Sequence, residues 1–77
     1  MLFRVIYRDN TKDEDVNEKR IIKGFQLSGT PNLSDVQSSL PGTNEIKIGS
    51  WAYAPQNGKT FILTEDNSGN GFWMEDV

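Results

Sequence analysis

Acidic residues stand side by side at Asp13-Glu14-Asp15, Glu65-Asp66 and Glu75-Asp76, and paired carboxylates are what general acid-base catalysis uses. Neighbouring acids on a strand point to opposite faces, and acids in a loop stay solvated with ordinary pKa values. The spacing therefore predicts charged surface. Asp66, Asn67, Ser68 and Asn70 with Gly69 and Gly71 form an oxygen-rich stretch of the kind that can hold calcium. The order of ligands and the distant glutamate of a calcium loop are missing, so ordinary turn chemistry accounts for it. Ser38, Ser39 and Ser50 have no histidine to activate them. Gly58-Lys59-Thr60 ends like a phosphate loop but lacks the upstream glycine and precedes a strand pattern instead of a helix.

Trp51, Tyr53 and Trp73 are the remaining candidates, as an aromatic platform that stacks a sugar or anchors a protein partner. For any single ring the core is the favoured use, since each buries roughly 150 to 250 Å² and a small sheet relies on such area. Trp51 is the ring expected to depart from that use.

Composition narrows the chemistry further. With no cysteine and no histidine, the chain has no disulfide, no thiol chemistry, no zinc site of the usual ligands and no nucleophile-histidine pair. The expectation is a protein that is not an enzyme and takes no cofactor or metal. The net charge of −3 is uneven: residues 1 to 28 hold six Lys or Arg against five acids, and residues 29 to 77 hold two against six. Phosphate recognition needs a basic stripe, so no nucleic-acid partner is expected. No apolar run is long enough to span a bilayer, and Met1-Leu2-Phe3-Arg4 lacks the apolar core of a signal peptide. No membrane partner and a bacterial cytoplasmic site of synthesis are the expectations.

The elements that must position the aromatics begin with Phe3, Val5 and Tyr7 alternating against Arg4 and Arg8 over residues 2 to 8, a strand pattern. Asp9 to Glu18 is polar throughout and reads as a loop. A second strand over about Arg20 to Leu27 carries Ile21, Phe25 and Leu27 in phase, with Gly24 marking a bulge or a close approach, which completes a first hairpin over 2–27. Residues 28–44 turn rich in Gly, Ser, Pro, Asn and Thr, and here Asn32 or Ser34 can cap a short helix on which Leu33, Val36 and Leu40 share a stripe. A meander over 45–77 follows: a strand from Glu45 through Ala54, a strand from Lys59 to Glu65, and a strand from Phe72 to Val77. Ile46 and Ile48 fall in phase with Ala52 and Ala54 unless Gly49-Ser50 forms a bulge. The prediction is one mainly β, or α+β, domain over 1–77, with about five antiparallel strands in a hairpin and meander arrangement and one short helix.

The turn between the third and fourth strands decides which side chains share a face. A two-residue loop at Asn57-Gly58 sets Ala54 against Phe61; a four-residue loop from Pro55 to Gly58, favoured by the proline, sets Ala52 against Phe61. Both registers place Ala52, Ala54, Phe61 and Leu63 on one face and Trp51, Tyr53 and Ile62 with Thr60 and Thr64 on the other. The hairpin is thus apolar on both faces. One face can seal the core, the other needs a cover, and the short helix and a partner chain are the two candidates for it. Trp51, Tyr53 and Ile62 are the candidate interaction residues, and Gly49, Asn57, Gly58 and Gly71 the candidate turn residues.

The order Leu40-Pro41, Ile48-Gly49-Ser50-Trp51-Ala52-Tyr53, a Gly58-Lys59 turn, Phe61-Ile62-Leu63, an Asp/Asn/Gly loop and Phe72-Trp73 with an acidic finish resembles small proteins and modules encoded among the head, tail and fibre genes of tailed bacteriophages and prophages. The resemblance covers residues 33–77, and Gly49, Ser50, Ala52, Tyr53, Gly58 and Trp73 match the pattern; the first 30 residues lie outside it. It implies a structural or accessory role in a virion, with subunits held by β interfaces. The expected function is a structural module that self-associates as a homo-oligomer or docks on a larger assembly. A small regulatory binder of a host protein and a carbohydrate-binding domain are the alternatives.

Overall fold

The structure, a computed structural model, describes residues 1–9 and 20–77. The expected loop from Asp9 to Glu18 falls outside the described residues beyond Asp9, as does the cluster Asp13-Glu14-Asp15. Five strands form one sheet in the order β1-β2-β3-β4-β5: β1 Phe3–Arg8, β2 Lys23–Leu27, β3 Trp51–Ala54, β4 Lys59–Glu65 and β5 Gly71–Glu75. One helix, α1 Leu33–Ser39, lies between β2 and β3 in sequence. The fold is mainly β with one short helix.

Three of the four strand pairings are antiparallel, and the β2-β3 pairing is parallel. The sheet is therefore mixed, where hairpins alone were expected. The cause is the connection over residues 28–50: a parallel neighbour needs a crossover, and α1 with the turns after it carries the chain back to the end of the sheet where β2 began. Strand β3 begins at Trp51, not Glu45, because residues 43–49 turn instead of extending. Ile46 donates its N–H to Gly42 O at 3.1 Å and is fully buried. Strand β2 likewise starts at Lys23 instead of Arg20, and β5 ends at Glu75 instead of Val77.

Asn32 caps α1. Its side chain accepts the Asp35 N–H at 2.9 Å while the Asp35 carboxylate accepts the Asn32 N–H at 3.0 Å, a reciprocal box that satisfies two donors the helix itself cannot. Val36 and Leu40 turn into the core, but Leu33, the third residue of the expected stripe, stays exposed in the first turn. Among the described residues the core is one cluster on one face of the sheet: Phe25, Leu27, Ala52, Ala54, Phe61, Leu63 and Trp73 from the strands, with Val36, Leu40 and Ile46 above them. Edge-on ring contacts run across it, Phe3 to Phe25 at 5.6 Å and Phe25 to Trp73 at 6.3 Å.

Candidate functional site

The β3-β4 turn takes the four-residue form. Ala54 pairs with Lys59, Ala52 with Phe61, Tyr53 with Thr60 and Trp51 with Ile62. Gly58 closes it at a φ of +70°, a conformation that costs a side chain but not glycine. Asn57 ties the turn to the rest of the molecule, accepting the Lys59 N–H and donating from Nδ2 to Pro31 O, both at 3.2 Å.

This register divides the sheet. The face carrying Ala52, Ala54, Phe61 and Leu63 is closed by α1 and the turns that follow it. The opposite face carries two rows, each running across the sheet. Tyr7, Gly24, Trp51, Ile62 and Met74 stand opposite one another on successive strands and form an apolar row. Arg4, Gln26, Tyr53 and Thr60 form a polar row beside it, and the Asp76 N–H extends that row past β5 by donating to Thr60 O at 2.8 Å. Phe72, opposite Thr64, adds a further ring on the same face. Among the described residues no helix or strand lies over these rows: Tyr7 is 46% exposed, Tyr53 41%, Met74 42% and Phe72 37%.

Trp51 is partly buried and Tyr53 is exposed, so the structure brings Trp51, Tyr53 and Ile62 together on the open face. Trp73 does not join them. It pairs with Leu63 on the closed face, is 2% exposed, and donates its indole Nε1 to Pro41 O at 3.0 Å. Trp73 thus takes the core use favoured for each ring and Trp51 departs from it; the rings of the open face are Trp51 and Tyr53 with Tyr7, whose ring centroid lies 6.1 Å from that of Trp51. Sequence reasoning missed Tyr7 because the chain bulges between Val5 and Tyr7, moving Tyr7 out of phase with Phe3 and Val5 and onto the open face. Gly24, read as a bulge or close approach, faces that bulge and also lies under the Trp51 indole.

Three further residues hold the face in place. Ser50, fully buried just before β3, accepts the Lys23 N–H at 3.0 Å and donates to Lys47 O at 2.7 Å, tying the start of β2 to the start of β3. Its hydroxyl is thereby used in structure, which leaves no serine nucleophile there. Arg4 is held by Gln26, whose Oε1 accepts from Nε at 2.9 Å and Nη2 at 2.6 Å. Gln37 of α1 accepts the Trp73 N–H at 2.8 Å and so occupies the outer edge of β5, which would otherwise offer that donor to another strand.

Of the other candidate turn residues, Gly49 takes a φ of +99°, and Gly71 lies against the side chain of Thr43 with no room for a β-carbon. The two described acid pairs, Glu65-Asp66 and Glu75-Asp76, behave as surface groups. Glu75 and Asp76 fall on opposite faces, and Glu75 pairs with Lys59 at 3.8 Å. Asp66 organises its own loop: Oδ1 accepts the N–H groups of Ser68 and Asn70, each at 2.9 Å. The Asn70 N–H is the largest cause holding its carboxyl below the usual carboxylate value; desolvation opposes it, and the Ser68 N–H adds to the lowering. Among the described residues no group of three acids could hold a metal ion, and no helix is long and apolar enough to cross a membrane. Comparison with protein-family models, curated proteins and solved structures finds no match.

Proposed function

We propose that this chain is a phage- or prophage-derived structural module, not an enzyme, that uses the open face of its sheet to bind a protein surface. One observation carries the reading: α1 closes one face, while the Tyr7, Trp51, Ile62 and Met74 row on the other, with Tyr53 beside it, meets solvent. The exposed parts of Tyr7, Tyr53, Phe72 and Met74 add up to surface on the order of 400 Å², at the scale where a contiguous apolar patch on a small monomer has a use. Among the described residues no converging set of polar groups accompanies it, which favours a protein surface over a small substrate. The phage element rests on the resemblance of residues 33–77.

Charged substitutions on the face test the reading. Tyr53→Glu and Met74→Lys, at sites 41% and 42% exposed, are expected to keep the far-ultraviolet circular dichroism and melting transition of the parent. They should abolish association, whether with a second copy or with purified virions of the phage that carries the gene. Unfolding of both variants would make the face a core, and unaltered association would place the docking surface elsewhere.

A further inference from the structure

We infer that the occupant of the open face is a second copy of this chain, packed sheet against sheet about a two-fold axis that runs parallel to the strands near β3. This rests on the docking-face reading and assigns its partner. The distribution of charge on the face selects it. The polar row begins with Arg4 on one edge strand and ends with Asp76 just past the other, and its interior positions Gln26, Tyr53 and Thr60 are uncharged. The strand acids Glu65 and Glu75 stand in phase with Phe61 and Leu63 on the closed face. Among the described residues this row thus has one cation and one anion, Arg4 and Asp76, at its two margins.

A two-fold axis along the strands keeps each row at its own height and exchanges left for right. It lays β1 of one copy over β5 of the other, Arg4 over Asp76 on both sides of the interface, and the apolar row over its own counterpart. An axis across the strands exchanges the rows' heights, so Arg4 no longer meets Asp76. Only the first choice is charge-complementary as well as isologous. Arg4 is also prepared for the contact, since two bonds to Gln26 Oε1 hold its guanidinium and leave it other donors. The patch on each copy is about half the roughly 800 Å² that a standard interface buries per partner, so the dimer is weak and depends on concentration.

Sedimentation equilibrium on the full chain over micromolar to millimolar concentration tests this, using the parent, Arg4→Glu, Asp76→Lys and an equimolar mixture of the two variants. The parent should dimerise within that range. Each variant alone sets like charges opposite each other twice, and its association should weaken about tenfold or more. The mixture should recover near-parental association as a heterodimer, because both contacts are then attractive. A parent that stays monomeric at millimolar concentration overturns the inference. So do charge variants that associate like the parent, and so does a mixture that fails to recover. A dimer that is lost in Tyr53→Glu yet ignores the charge variants removes this two-fold arrangement and leaves the docking face standing; a dimer that survives Tyr53→Glu removes both.

Discussion

The indole of Trp51 fills the space that a side chain on Gly24 would take: a β-carbon built there would fall 2.6 Å from Cε2 of the ring. Strand β2 thus gives up a side chain so that a large one from β3 can lie across it and reach Tyr7 on β1. The open face acquires an aromatic surface three strands wide from two rings.

Gly24→Ala forces the indole off the sheet. The ring is partly exposed and has somewhere to go, so the cost is that of moderate overpacking, about 1 to 3 kcal/mol, not loss of the fold. Tryptophan emission should shift to the red as Trp51 becomes more hydrated. An unshifted spectrum with unchanged stability would contradict the contact.

The two tryptophans should differ sharply in what their removal costs. Trp73→Ala empties a core position that is 2% exposed, and about 3 to 5 kcal/mol should be lost in chemical denaturation. That is a large share of the stability of a domain this small. Trp73→Phe keeps most of the apolar volume and loses the bond to Pro41 O, for a smaller cost of about 1 to 2 kcal/mol. Tyr53→Ala should change stability by less than about 1 kcal/mol, since surface substitutions seldom do more.

Ser50→Ala removes the acceptor of the Lys23 N–H in a partly buried setting. An unsatisfied donor costs about 1 to 3 kcal/mol. Amide exchange should speed up first at Lys23, the position that loses its partner, while the β4-β5 ladder stays protected.

Asp66 gives the molecule a sensitivity to acid. Its folded-state pKa lies below the ordinary value of 3.8, so its contribution is present above the unfolded pKa and lost as pH falls through the lowered folded value. Asp66→Asn keeps one acceptor oxygen but removes the charge. The variant should melt slightly below the parent at neutral pH, and the two should converge in strong acid. Parallel melting curves against pH would show that the loop draws nothing from the ionised form.

Much of the hairpin was legible before any coordinates. Pro55 fixes the first central turn position and Gly58 accepts a positive φ, which sets the register; side-chain alternation then divides Ala52, Ala54, Phe61 and Leu63 from Trp51, Tyr53 and Ile62. These are local rules, and a window of a dozen residues contains all that they need. Asn32 as a helix cap is legible for the same reason, since its partner Asp35 is three residues away.

What the amino-acid sequence alone determined is the set of strands, the short helix and the two-faced character of the carboxyl-terminal hairpin. Only the tertiary structure decided that β2 lies beside β3 in parallel, that α1 closes the Ala52 face and leaves the Trp51 face open, and that Trp73 belongs to the core while Tyr7 joins the surface. Each of those outcomes is a contact between segments far apart in the chain: Gly24 with Trp51, Gln37 with Trp73, Ser50 with Lys23. Periodicity records which side of a strand a residue occupies, but not which other strand or helix meets that side, because that choice is made by burying area between elements that no local pattern relates.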